Sequence, residues 1–246
     1  MREKLLWVQI NWVFGERPPE FQRCASFVAN LFTFKLPSVV CKGTSKVNID
    51  FTTYANMEGI SKFDSILSMA ELFPTEGFEE MNLVEKIELI ARETYKALVQ
   101  VYHYLNLDVA QLNIGYQKII ADNYQLVRTL VGSPKLNKSR TVTAIVIAKY
   151  SLDGTDIQIN FCGKDNKVKE VQLFKTLPGW FDHGRLLHTG KWIENDTFEL
   201  SNKTKEINFR VDISGLINMR YQPIGRDADG IKEEIRFFTL ERYFEL

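Results

Sequence analysis

Hydrophobic residues recur at helical spacing in the middle of the chain. They step by three or four positions along one seam: Leu83, Ile87, Ile90, Thr94, Leu98, Val101 and Leu105. Residues at this spacing lie on one face of a helix. The pattern predicts a helix over about residues 79–106 and a second over about 109–131, which Gly132, Ser133 and Pro134 end. The short link between them predicts an antiparallel helix hairpin over about 79–131.

The segments before this hairpin mix strand and helix patterns. Residues 5–14 and 47–53 are rich in β-branched and aromatic residues and predict strands, as does the short segment 39–41. Residues 20–32 carry apolar side chains at helical spacing and predict a helix, with a strand as the alternative. Residues 61–73 are ambiguous, and Ser61 with Asp64 favours a helix start there.

From Thr141 onward the hydrophobic period changes to two. Residues 141–152 and 155–162 flank Asp153 and Gly154, a strong hairpin signal. Further strands are predicted in the following segments: 168–175, 207–213, 216–221 and 231–244. Together these patterns predict a turn-rich antiparallel β-meander.

The fold class is therefore α+β, with amino-terminal strands and a long helix hairpin followed by an antiparallel meander. We expect an α+β subdomain over residues 1–132 and a mostly antiparallel β subdomain over 133–246. An alternative stays open, in which the strands of both halves join one sheet.

Charge and cysteine content narrow the classes of partner. The chain of 246 residues has 31 basic and 31 acidic side chains. Nucleic-acid binding draws on a basic face, so we predict no nucleic-acid partner. The chain has three cysteines, Cys24, Cys41 and Cys162. Their odd number and wide spacing argue against a disulfide framework or a zinc site. No apolar run approaches the ~20 residues that span a bilayer, so we expect a cytoplasmic protein without a membrane partner.

Motifs for catalysis and for cofactor binding lack residues that they require. Gly179 and Gly184 have the separation of the two P-loop glycines, but Arg185 and Leu186 follow where Lys and Ser or Thr are needed. Asp227 begins a segment resembling a calcium loop that lacks the required glutamate. We predict no catalytic residue, no metal ligand and no cofactor, and we favour a protein that is not an enzyme.

Aromatic and charged residues crowd into residues 177–192, between glycines. The candidate binding residues are Trp180, Phe181, Asp182, His183, Arg185, His188 and Trp192. Loops lie on the surface, whereas large aromatic side chains avoid exposure. In one interpretation the tryptophans fold back and cap the sheet. In the other, Trp180, Phe181 and Arg185 anchor a partner.

These observations favour a non-enzymatic cytoplasmic protein that binds another protein, as an inhibitor, an immunity-type protein or an assembly factor. The alternative is a hydrolase or a small-ligand-binding enzyme that uses residues 177–192. The oligomeric state stays open.

Overall fold

The computed structural model describes residues 7–39, 41, 43–152, 154–164, 168–176 and 187–222, with the backbone alone at 131–133, 176 and 221. The described residues fall into two compact units that divide between Gln125 and Leu126. Each unit has its own sheets. The mixed α and β content confirms the predicted fold class.

The first unit contains a mixed sheet and three helices. Its elements are β1 (Trp7–Phe14), α1 (Phe21–Lys35), β2 (Lys46–Thr52), a 3-10 turn (Ala55–Met57), β3 (Gly59–Phe63), β4 (Ile66–Leu72), α2 (Leu83–Tyr104) and α3 (Val109–Ala121). The sheet order is β1-β2-β4-β3. β1, β2 and β4 are parallel, and β3 is antiparallel to β4. Since α1 joins two parallel neighbours, it serves as their crossover helix.

The core of this unit follows from the alternation along the strands. On one sheet face, Val8, Ile49 and Leu67 are fully or almost fully buried, whereas Gln9 and Asn48 on the other face are half-exposed. Such alternation is expected of a sheet with one face packed on the core. α1 packs against β1, and α2 and α3 pack against α1.

The predicted helical seam is confirmed on α2. Ile90, Leu98 and Val101 are completely buried. Asn82 caps the helix in a capping box, because its side chain accepts from the Glu85 backbone N–H while the Glu85 carboxylate accepts from the Asn82 N–H. The helix therefore begins at Leu83, four residues after the predicted start.

The second predicted helix is too long. α3 ends at Ala121, and β5 begins at Leu126. Asn123 and Tyr124 adopt positive φ angles of 51° and 55°, which a continuing α-helix does not allow. Val127, assigned by its spacing to a buried helix face, is an exposed strand residue. The helix hairpin accordingly spans 83–121 rather than 79–131.

Gly132, Ser133 and Pro134 do not end a helix. They lie inside β5 (Leu126–Leu136), where the pairing with the next strand shifts register between Leu130 and Lys135. Proline and glycine are tolerated in a strand at such an irregularity, because the ladder is already interrupted there.

Residues 61–73 form a hairpin rather than the favoured helix. β3 and β4 pair across a turn at Asp64, which has a φ of 52°. Leu67 and Met69 are buried while Ser68 between them is half-exposed, so the period is two. Asp favours this turn conformation, and the Ser61–Asp64 pair therefore marks a turn instead of a helix cap.

The second unit contains two four-stranded antiparallel sheets. One has the order β5-β6-β7-β8 and the other β12-β11-β10-β9. After β5 their elements are β6 (Val142–Ser151), β7 (Gly154–Gly163), β8 (Val168–Thr176), β9 (Thr189–Trp192), β10 (Thr197–Ser201), β11 (Ile207–Asp212) and β12 (Ile217–Tyr221). β6 and β7 form the predicted hairpin. The Phe174 and Phe209 rings stack between the two sheets with centroids 5.5 Å apart.

The described strands form three four-stranded sheets, one in the first unit and two in the second. The strand predicted over 231–244 lies outside the described residues. Within the described ranges no helix combines the length and apolar character needed to cross a membrane.

We predict that Leu98→Ala lowers the free energy of unfolding by about 2–5 kcal/mol, the range for truncating a fully buried leucine. Val84→Ala is the matched control, since Val84 lies on the same helix and exposes 56% of its surface. Denaturant unfolding of the full-length chain measures both. Equal, small effects of the two substitutions would contradict the burial of the α2 seam.

Candidate functional site

Most of the predicted loop site lies outside the described residues. This applies to five of its seven candidates: Trp180, Phe181, Asp182, His183 and Arg185. The structure describes the other two. His188 is exposed and its backbone N–H donates to the Ser201 carbonyl at 2.7 Å, while Trp192 ends β9.

Trp192 contacts both sheets of the second unit. Its half-buried ring lies 5.7 Å from the Phe161 ring and 5.3 Å from the Phe198 ring, between centroids. The Trp192 indole N–H donates to the Lys135 carbonyl at 2.8 Å, and the Lys135 ammonium donates to the Gly190 carbonyl at 2.5 Å. These contacts tie β9 to β5.

β9 and β10 were not predicted from the sequence. Glycine marked the region of β9 as a loop, but Gly190 is a buried strand residue. A Cβ built there would lie 2.9 Å from the Phe198 ring, so a larger residue would force the ring away. The glycine serves close packing rather than a turn.

A cleft lies at the carboxyl edge of the parallel strands in the first unit. β2 and β4 are parallel neighbours, so Thr53 and Phe73, which follow them, meet at the same edge. The cavity there has a volume of about 600 Å³ and is lined by Thr53, Leu72, Phe73, Pro74, Thr75, Arg92, Glu93 and Lys96. In open α/β sheets, ligands bind outside the carboxyl ends of the strands.

Buried aromatic residues fix the segment 72–81, part of which walls the cleft. Phe73 lies 5.0 Å from Phe51, 5.1 Å from Phe21 and 5.6 Å from Phe78, measured between ring centroids. Phe73 and Phe78 are almost completely buried. The Phe73 backbone N–H also donates to the Thr52 carbonyl at 2.9 Å. The wall is therefore anchored to the core at two points.

A charged pair reinforces this anchor. The Lys86 ammonium lies 5.5 Å from the centroid of the Phe78 ring and 2.9 Å from the Glu20 carboxylate. The hydrogen bond and the charge of Lys86 lower the pKa of Glu20 from its ordinary value. Lys86 thereby connects α2 to the start of α1 beside the aromatic cluster.

Glu93 holds the two cations of the cleft. Its carboxylate lies 3.0 Å from Arg92 Nε and 2.8 Å from Lys96 Nζ. The Glu93 side chain is 8% exposed, whereas both cations are 58% exposed. A buried carboxylate that is paired and hydrogen-bonded can stay ionised. The result is two exposed cations held by one buried anion.

A second cavity of about 390 Å³ continues along α2. It is lined by Gly77, Glu80, Met81, Glu85, Glu88, Leu89 and Arg92. Arg92 lines both cavities, and the segment 72–81 contributes residues 72–75 to the first and Gly77, Glu80 and Met81 to the second. We call the two cavities together the α2 groove.

Glu71 lies on β4 next to this groove. Burial, and then the charge of Glu58, raise the pKa of Glu71, and a hydrogen bond from Gln100 at 3.0 Å opposes the shift. Folding therefore favours the protonated form of Glu71, so its contribution to stability decreases as the pH rises through its folded-state pKa.

Large apolar side chains are exposed at the same edge of the sheet. Tyr54 and Met57 follow β2, and Leu72 ends β4 and lines the cleft. Leu72 and Arg92 line the same cavity, and exposed apolar residues together with arginine are typical of binding surfaces.

The sequence contained one signal for this site. Arg92 and Lys96 are four residues apart on a helix, so they share its polar face with Glu93 between them. An ordinary solvent-exposed helix face carries the same pattern of charges, so the sequence alone did not identify a site here. Only the parallel pairing of β2 with β4 brings Thr53 and Phe73 to that face.

No group of three or more His, Cys, Asp or Glu residues suited to a metal ion occurs among the residues that the structure describes. Comparison with known protein families, with curated proteins and with solved structures finds no match for this chain.

We predict that Glu93→Gln lowers the free energy of unfolding by about 1 kcal/mol, because it removes the charge that pairs two half-exposed cations. Glu88→Gln is the control. It makes the same change at an exposed position of the same helix and should stay within about 0.5 kcal/mol of the wild type. Denaturant unfolding gives both values. Indistinguishable effects would show that the Glu93 ion pairs do not hold the cleft.

Proposed function

We propose that this chain is a non-enzymatic protein-binding protein, an inhibitor or an assembly factor, and that its binding surface is the α2 groove. The observation that carries the proposal is the position of Arg92 in the middle of an open groove with an anchored wall. Arginine and aromatic residues dominate the binding energy of protein interfaces. A wall that is already fixed by Phe73 and Phe78 loses little conformational freedom on binding.

The openness of the groove supports a chain segment as the occupant. Arg92 and Lys96 each expose more than half of their side chains. Small-molecule sites, by contrast, enclose most of the ligand surface. A segment lying along α2 would contact both cavities through Arg92.

The position of the larger cavity favours a second candidate function. It lies at the carboxyl ends of β2 and β4, where α/β sheets bind small ligands. A small-ligand-binding protein or a hydrolase would use Thr53, Thr75 and the two cations for polar contacts. This candidate differs from the first in the size of its ligand.

The loop of residues 177–192 stays a second candidate contact for a protein partner. Of the two candidates described, His188 is exposed, whereas Trp192 is committed to contacts with Phe161 and Phe198. An anchor role would therefore fall to Trp180, Phe181 and Arg185, and this role stays a prediction.

The proposal includes a cytoplasmic location and a protein rather than a nucleic acid as partner. Free thiols at Cys24, Cys41 and Cys162 support a reducing compartment. Burial raises the pKa of Cys24 to about 11, which keeps this thiol unreactive. The equal numbers of basic and acidic side chains support a protein partner.

We predict that Arg92→Ala weakens binding of the partner by about 10- to 30-fold, the effect of losing an interface arginine worth ~1.4–2 kcal/mol. Arg92 is the suitable target because Lys96 still pairs with the buried Glu93 in the variant. The tagged full-length chain captures the partner from native lysate, and the affinity of the purified partner is then measured for wild type and variant.

Ile114→Ala is the control for this experiment, since Ile114 is exposed on α3, outside the groove. It should bind the partner like the wild type, and both variants should stay fully folded at the temperature of the binding assay. Unchanged affinity of Arg92→Ala would refute the groove as the binding surface. Failure to bind any protein, with a small ligand raising the unfolding temperature of wild type but not of Arg92→Ala, would favour the second candidate.

A further inference from the structure

The charges of the α2 groove specify the segment that it binds, provided that the groove is the protein-binding surface proposed above. We infer that the groove binds an extended segment with a basic side chain at one position and an acidic side chain about four residues away. The groove thus recognises a pattern of charge along a strand rather than a single residue.

One half of the groove is acidic. Glu80, Glu85 and Glu88 are exposed, and Arg92 is the one cation among the described residues that line this half. The Glu85 carboxylate is held in place by the Asn82 backbone N–H at 2.8 Å. Because Arg92 pairs with Glu93 in the other half, these three glutamates carry a charge of −3, which favours a lysine or arginine of the partner.

The other half is basic. Arg92 and Lys96 share the single buried carboxylate of Glu93, so one positive charge is left over. Arg92 binds Glu93 through Nε, and a guanidinium has further N–H donors in a planar fork that fits a carboxylate. An aspartate or glutamate of the partner therefore complements this half.

The distance between the two halves sets the spacing of the partner's charges. Glu88 and Lys96 lie eight residues apart on α2, which corresponds to ~12 Å of helix rise. An extended chain covers this distance in about four residues at ~3.3 Å each. Side chains four residues apart in an extended chain point to the same side, so both can face the groove.

Short peptides test this inference on the full-length chain. The probes are acetylated and amidated Lys-Thr-Leu-Thr-Glu and its reverse, Glu-Thr-Leu-Thr-Lys, which cover both chain directions. The control peptide is Glu-Thr-Leu-Thr-Glu. Titration followed by backbone amide shifts of the isotope-labelled protein gives each affinity. We predict that one of the two bipolar peptides binds about 5- to 10-fold more tightly than the control, with shifts at residues 85–96.

A charge reversal separates recognition from a structural effect. Glu88→Lys should lower the affinity for the preferred bipolar peptide by about tenfold. The doubly acidic control peptide should then bind more tightly than the bipolar one. Glu194→Lys makes the same charge change at an exposed position of the second unit and should leave both affinities unchanged.

Three outcomes would overturn the inference. These are equal affinities of bipolar and acidic peptides for the wild type, equal effects of the two charge reversals, and no peptide binding at all. If no peptide binds although Arg92→Ala no longer binds the protein partner, the inferred charge pattern of the segment is wrong and the proposed function stands. If Arg92→Ala keeps the partner, the proposed function itself fails.

Discussion

The packing of Phe73 and Phe78 against Trp12, Phe21 and Phe51 is the contact on which the first unit and its groove depend. These rings come from β1, α1, β2 and the segment that leads into α2, so a single cluster joins four parts of the chain. Aromatic pairs in edge-to-face geometry add specificity to their burial. Because Phe73 and Phe78 both belong to this cluster, the groove wall is fixed to the core of the unit at two points.

Under the proposed function, the charges of the groove determine which partner segments fit it. Glu93 is buried and paired, so it positions Arg92 and Lys96 without cancelling both charges. Such positioning favours specificity more than raw affinity, because a wrong partner would leave charges unpaired or opposed. The acidic half near Glu85 arises from a different cause, since Glu85 first serves to cap α2.

Local patterns predicted several of the elements but not the surfaces that they build. The α2 seam and the β6–β7 hairpin have strong periods, and both are confirmed. The helix prediction for residues 126–131 is wrong because their apolar spacing fits a helix as well as a strand. The positive φ angles of Asn123 and Tyr124 end the helix before these residues. The α2 groove could not be predicted from the sequence, because it depends on parallel pairing between strands that no local pattern specifies.

Hydrogen exchange of the full-length chain, with and without its captured partner, tests the central claim most directly. Amides that become covered on binding exchange more slowly, so the partner leaves a footprint on the sequence. We predict slower exchange in residues 72–81 and 85–96, on the two walls of the groove. Slower exchange confined to residues 177–192, with both walls unchanged, would contradict the account.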